Sequence, residues 1–297
     1  MSVSEEDYAS FKDLDVLGND TGYLPLALMH GHWLPIMIVP SWLKTHNFPF
    51  RSDDVIVATS PSSGTHWVYY ITYLLKTKNF GPIPVHMQRP LMEYPYSDES
   101  FQTLVDQKEP RLFSSHLPAC VLPKHAFKAK VIYVYRNPKD VATSLYHHYL
   151  NQNGWVYEKS FEEFLEMFLD GKTIWGPQWK HVLSYHQLKE QGKPILFVKY
   201  EHLKQDTKGM IRKIGEFLEV DVDDDLINRI VDQTSIEKMR QNKDVDGSIW
   251  RSNGWKEGKN FIRKGQVGSW KDDFKNPEIR EKFEKFYKDH LPAEYLE

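Results

Sequence analysis

Residues 54–76 read DVIVATSPSSGTHWVYYITYLLK, and the order of residue types in this stretch decides the architecture. Val55–Thr59 is a β-branched, apolar run with the length of a buried strand. Pro61, Ser62, Ser63, Gly64 and Thr65 are too small and turn-prone to extend it. From His66 onward, aromatic and aliphatic side chains suit a buried helix. A strand, a tight loop and a helix start make an anion cradle. The loop N–H groups converge, and the helix dipole adds partial positive charge at the same point. The Gly-x-x-x-x-Gly-Lys-Ser/Thr pattern that holds a triphosphate and Mg²⁺ is absent, which argues against a P-loop kinase.

Further strands follow downstream. Lys130–Tyr135 (KVIYVY) and residues 194–200 (PILFVKY) are apolar and β-branched, and the shorter 111–116 (RLFSSH) closes on a histidine. Helices are expected between and after them. Asn137 is an N-cap with Pro138 at the first helical position, opening a helix to about Tyr149. Residues 160–169 combine a serine cap, early glutamates and helical spacing. The segments 175–191, 208–218, 223–231, 236–241 and 277–290 also read as helical. Residues 1–50 read as irregular, with a short strand or helix around 26–37. Residues 77–110 read as loops with short helices, and 243–269 as a long loop.

Strands alternating with helices predict an α/β fold with a mainly parallel central sheet flanked by helices. Ligands of such sheets bind beyond the carboxyl ends of the strands. The loop after Thr59, His116, Arg136 and Glu201 should therefore share one edge. With 297 residues and no linker, repeat or low-complexity tract, residues 1–297 read as a single domain.

Composition narrows the function. A net charge of −3 argues against a general nucleic-acid binder, though not against a local site for a small anion. The single cysteine, Cys120, excludes an internal disulfide framework and a cysteine-based zinc site, and fits a reducing cytosol. The acidic start, MSVSEED, lacks the basic segment of a signal peptide. Residues 24–43 are apolar, but Pro25, Pro35, Pro40 and the His30-Gly31-His32 interruption favour buried chain or a pocket wall over a membrane span. A cytoplasmic protein without a bound metal is expected.

Two more basic elements suit phosphate. Arg136, at a strand end, can hold a phosphate through two parallel hydrogen bonds, with Ser144 near two helical turns further on. Arg263, Lys264 and Gly265 put two cations and a glycine in a loop suited to closing over an anion. In isolation each is also an ordinary surface feature.

Together the segments resemble the cytosolic sulfotransferases, which move a sulfonate from 3′-phosphoadenosine 5′-phosphosulfate (PAPS) to an alcohol, phenol or amine. TSPSSGTHW at 59–67 is similar to the family's TYPKSGTTW, and RLFSSH at 111–116 to its R-x-x-K-T/S-H. YRNPKD at 135–140 with Ser144 matches R-N-P-K-D…S, and Lys199, Tyr200 and Glu201 fall on a Y-E-D strand end. Residues 261–265 (FIRKG), with Gly268 and Trp270, match R-K-G-x-x-G-x-W. The five motifs stand in the family's order, and the resemblance covers the chain from about residue 16 to 287.

The resemblance implies a P-loop-like cradle and roles by position. Ser62, Ser63, Gly64, Thr65 and His66 would hold the 5′-phosphate. Trp67 and Tyr200 would contact the adenine, helped by Thr234 and Ile236. Arg136, Ser144, Arg263, Lys264 and Gly265 would hold the 3′-phosphate. His116 would be the general base, a task suited to a side chain with an ordinary pKa of about 6.5. The product would be 3′-phosphoadenosine 5′-phosphate (PAP).

Four departures stand out. Ser62 and Ser114 replace lysines that the family uses around the transferring sulfonate, and Ile236 replaces a phenylalanine. The family's dimer signature, K-x-x-x-T-V-x-x-x-E, would fall near 271–281, where the Thr-Val pair is missing, so no family-type dimer is expected. The leading expectation is sulfonate transfer from PAPS to a hydroxyl or amine of a small, hydrophobic acceptor such as a phenol, alcohol, steroid or amine. The alternative is a PAPS- or PAP-binding protein on the same fold with weak or no catalysis.

Overall fold

A computed structural model describes residues 16–17, 25–93, 97–108, 111–152, 157–247 and 256–296. The expected strand–loop–helix is present: β4 (Val55–Thr59) runs through a loop into helix α2 (Thr65–Thr77). Before it lie the short β1 (Val16–Leu17), then β2 (Leu26–Met29), β3 (His32–Pro35) and α1 (Val39–His46). After it come α3 (Asp98–Asp106), β5 (Leu112–Ser115), β6 (Lys130–Tyr135), α4 (Pro138–Asn151), α5 (Phe161–Leu169), α6 (Gln178–Glu190) and β7 (Ile195–Lys199). The chain continues through α7 (Tyr200–Gln205), α8 (Thr207–Phe217), α9 (Asp224–Gln233), α10 (Ile236–Gln241) and α11 (Pro277–His290).

The main sheet has the order β5-β4-β6-β7 and is parallel throughout, with Val57 beside Ser114 and Ile132, and Val134 beside Val198. Successive strand residues face opposite sides. Ile56, Ala58, Phe113, Val131 and Tyr133 join the core under α4, α5, α6 and α11, whereas Val55, Val57, Ile132, Val134 and Val198 join the core under α2, α8 and α9. Burial on both faces is why these strands read as continuous apolar runs.

Local signals are realised as read. The Asn137 side chain accepts from the Lys139 N–H, with Pro138 at the first position. Ser160 and Glu163 form a reciprocal capping box. The amino-terminal region is more regular than its sequence suggests. β2 and β3 form an antiparallel hairpin whose turn residues, His30 and Gly31, both have positive φ (48° and 77°), as the tight turn of a right-twisted hairpin requires. Pro40 stands in the first turn of α1, where it disrupts nothing. Among the described residues no helix is long and apolar enough to cross a membrane.

Arg111, the first residue of the 111–116 motif, has a structural task. Its fully buried guanidinium grips Asp54 through Nη2 (2.8 Å) and Nε (2.7 Å) at the start of β4 and β5. Removing one partner of such a pair strands a buried charge, so Arg111→Ala should lower unfolding free energy by about 3 kcal/mol. Urea denaturation checks this, and a midpoint equal to wild type would assign the pair no net role.

Candidate active site

The carboxyl ends of β4, β5, β6 and β7 open onto one cavity of about 530 Å³. Of the residues singled out in the sequence, Ser62, Gly64, Thr65, His66, Trp67, His116, Arg136, Ser144, Tyr200, Thr234, Ile236, Arg263, Lys264 and Gly265 all line it. Ser63 and Ser114 do not; both are fully buried. The Ser114 hydroxyl donates to the Pro90 carbonyl (3.2 Å) and so turns away from the chemistry.

Backbone geometry makes the cradle. Ser62 and Gly64 take positive φ (67° and 109°), and a Cβ on Gly64 would sit 2.7 Å from the Tyr200 ring. Only glycine allows that approach. Trp67 and Tyr200 meet edge to face at 5.7 Å, with Lys204 Nζ over Trp67 at 5.1 Å. Arg136 spans the loops. Its guanidinium donates to the Ser62 carbonyl (3.2 Å) and the Gln266 carbonyl (2.8 Å) and lies 4.3 Å over the Tyr200 ring.

The 263–270 loop is held by a residue whose role the sequence did not reveal. Buried Asp140, one turn into α4, accepts from Gly268 N–H (2.8 Å), Ser269 Oγ–H (3.1 Å) and Trp270 N–H (3.0 Å). This brings Arg263 beside Arg136. Gly265 (φ 60°) packs on Ile236, which occupies the space a Cβ would need. Lys264 pairs with Asp272 on the surface (2.5 Å), so its side chain serves the loop more directly than the cavity. The buried Nε of Arg136 and Arg263, Nε1 of Trp67 and Oγ of Ser63 have no hydrogen-bond partner among the described residues. Such buried donors, gathered at a cradle, fit a phosphorylated nucleotide.

His116 sits at the opposite end, its ring 5.5 Å from Trp175. Its Nδ1 faces the Thr59 carbonyl (3.0 Å), which can only accept, so Nδ1 carries the proton and Nε2 the lone pair. Burial, with help from the Arg89 charge, lowers its pKa to about 3, so the ring is neutral. His181 reinforces this. Nε2–H of His181 donates to the His116 carbonyl (3.0 Å), and its Nδ1 accepts from Tyr133 (2.9 Å). Glu93 accepts from the His116 N–H (2.6 Å) and the Ser115 hydroxyl (2.9 Å), and burial raises its pKa to about 7. Neither His181 nor Glu93 carried a sequence signal beyond being a polar residue among apolar ones.

Pro35, Ile38, Leu91, Leu145, Ile174 and Trp175 give this end apolar walls. The 24–43 segment thus contributes pocket wall as expected. Tyr149 does not: its hydroxyl accepts from the Ile174 N–H inside the core. Residues 94–96 and 248–255 lie outside the described residues.

These buried imidazoles make stability depend on pH. Burial lowers His32 and His148 to about 4 and His116 and His181 to about 3, and holds His66 well below its usual value. A depressed folded pKa contributes stability above the unfolded value of about 6.5 that is lost as pH falls. Glu93 acts oppositely, contributing stability at low pH that is lost as pH rises through about 7. The histidines prevail, so unfolding free energy should fall by several kcal/mol between pH 6.5 and 5. Denaturation curves at the two pH values check this, and equal midpoints would contradict it.

The sequence carries the model of a sulfotransferase domain over residues 52–293. Sulfotransferase 1B1 of Canis lupus familiaris is 34% identical over 284 residues, 92% of this chain and 95% of its own length. Sulfotransferase 2A1 of Homo sapiens is 34% identical over 250 residues, 82% and 86% of the two chains. Among solved structures, mouse sulfotransferase SULT7A1 complexed with PAP superposes with a TM-score of 0.74 at 28% identity, covering 89% of this chain and 94% of that one. With the parallel sheet, the cradle and five ordered motifs, these likenesses settle the family. The chain belongs to the sulfotransferases.

Proposed function

We propose that this protein transfers a sulfonate group from PAPS to a hydroxyl or amine of a small, apolar acceptor. One observation carries the reading: a single cavity is lined by the buried guanidinium of Arg136, the half-buried Arg263, the 61–66 cradle and His116. Arg136 and Arg263, with Ser144 and Gly265, hold the 3′-phosphate. The backbone of 63–66 and the hydroxyl of Thr65 hold the 5′ end, while Trp67, Tyr200, Thr234 and Ile236 enclose the base. His116 Nε2 takes the proton of the acceptor as its oxygen or nitrogen bonds to sulfur. The apolar walls at Ile38, Leu91, Ile174 and Trp175 suit a phenol or steroid and exclude water. Binding of PAP measured by calorimetry, then transfer of labelled sulfonate from PAPS to phenols, steroids and amines, tests this. No transfer by a protein that binds PAP would refute catalysis.

A second reading, a nucleotide binder with weak catalysis, is favoured by Ser62 and Ser114, which bring no charge, Ser114 also facing away from the cavity. Ser62→Lys discriminates: a large rate gain supports the weak enzyme, and no gain means that the wild-type site already holds its cation.

A further inference from the structure

Transfer places negative charge on the oxygen that bridges sulfur and the 5′-phosphate, and a preorganised donor aimed there is worth a factor of roughly 10²–10³ in rate. Among the described residues, five arginines and lysines line the cavity. Four serve the nucleotide end: Arg136 bridges Ser62 and Gln266, Lys204 covers Trp67, Arg263 reaches Ser269 and Lys264 pairs with Asp272. His66 is no substitute, because burial keeps it neutral. Lys199 is absent from the lining.

The fifth is Arg89, which lines the cavity with Leu91 and His116 and also borders a small cleft beside His66 and Asp244. It rides on a strap, residues 83–93, that is fastened at both ends. Asp244 accepts from Ile83 N–H (2.8 Å) and Gln88 Nε2–H (3.0 Å). Beyond Arg89, the Pro90 carbonyl accepts from Ser114 N–H (2.8 Å), Met92 N–H donates to the Ser114 carbonyl (2.9 Å), and Glu93 holds Ser115 and His116. The strap therefore forms an extra edge beside Ser114, one of the two positions where the resembled family carries lysine. Arg89 itself is buried and adopts φ 57°, a left-handed conformation that persists only where surroundings over-determine it. Its charge, after burial, helps to lower the pKa of both His116 and His66, which line the same cavity.

We infer that Arg89 is the catalytic cation of this site, its guanidinium lying against the transferring sulfonate in place of the lysines absent at Ser62 and Ser114. The inference rests on the sulfonate-transfer reading above. In the step it assists, the acceptor oxygen bonds to sulfur and the bond from sulfur to the bridging oxygen breaks. The bonding pair stays on that oxygen as part of PAP, and the acceptor proton passes to His116 Nε2. Arg89 offsets the growing charge on the bridging oxygen and orients the sulfonate.

PAPS carries the sulfonate and PAP lacks it, so binding separates this role from a structural one without turnover. Calorimetry with PAP and with PAPS, in the absence of acceptor, is run on wild type, Arg89→Gln and Arg89→Lys, alongside single-turnover transfer. Arg89→Gln should weaken PAPS about tenfold, leave PAP within about twofold, and lower the transfer rate about 100-fold. Arg89→Lys should retain most of both, and Ser62→Lys placed on Arg89→Gln should recover at least about tenfold in rate by returning a cation to the cradle. Equal loss of PAP and PAPS affinity, or a rate for Arg89→Gln within about threefold of wild type, would overturn the role of Arg89 while leaving sulfonate transfer standing. Wild type that binds neither nucleotide would overturn both.

Discussion

Replacing His116 by alanine should lower the rate of sulfonate transfer by a factor of about 10²–10⁴ while leaving PAP affinity nearly unchanged. The expectation follows from the fixed tautomer. The Thr59 carbonyl holds Nδ1–H, Thr59 Oγ1 lies 3.2 Å from the same nitrogen, and His181 and Glu93 fix the histidine backbone from behind. Nε2 is thus aimed rather than merely nearby, and alignment of the base is what general-base catalysis requires. PAP affinity should persist because the nucleotide is held by other residues, Arg136 and Arg263 among them. A depressed His116 also predicts that the imidazole itself contributes no inflection near pH 6.5 to kcat/KM for PAPS. Single-turnover rates and calorimetry on His116→Ala decide the point. A loss below about tenfold would assign the proton transfer to another group or to solvent.

Arg136→Ala should weaken PAP by about 4 kcal/mol, on the order of a thousandfold in Kd, which is the scale for removing one partner of a buried, hydrogen-bonded charge pair. Several losses coincide there. The guanidinium is the buried one of the two arginines offered to the 3′-phosphate, it stacks over Tyr200, and it ties Ser62 in the cradle to Gln266 in the closing loop. Arg136→Lys keeps the charge and loses the planar fork, so it should recover only part of the affinity. Asp140→Ala offers a second route to the same loop. It keeps the Arg136 guanidinium but removes the buried carboxylate 3.8 Å from it and frees Gly268, Ser269 and Trp270, so it should weaken PAP less than Arg136→Ala does. Nearly equal affinities for wild type and Arg136→Ala would remove the 3′-phosphate site from Arg136.

The contrast between Arg136 and Arg89 shows what kind of information each level holds. Arg136 follows a strand and precedes a capped helix, so its place at the sheet edge is dictated by neighbours in the chain: KVIYVY buries, Asn137 caps and Pro138 starts the helix. The same local logic fixed the cradle, the strand end that carries His116, and the Ser160 cap, whereas Glu201 falls in the helix that begins at Tyr200. Periodicity and capping act over a few residues, and side chains report them directly.

Arg89 lies in a Pro-rich stretch with no period to read. Its position depends on Pro90 and Met92 pairing with Ser114 and on Asp244 reaching back across more than 150 residues of chain. Asp140, His181 and Glu93 were opaque for the same reason: their partners are 128, 65 and 23 residues away in sequence. The hairpin of β2 and β3 was half legible, since its alternation is short and its turn rests on His30 accepting a left-handed backbone. By itself, then, the sequence determined a parallel α/β sheet with a phosphate cradle, because burial and capping are local. Only the tertiary structure decided which charge stands beside His116, because desolvated electrostatics depend on which distant segments the sheet edge brings together.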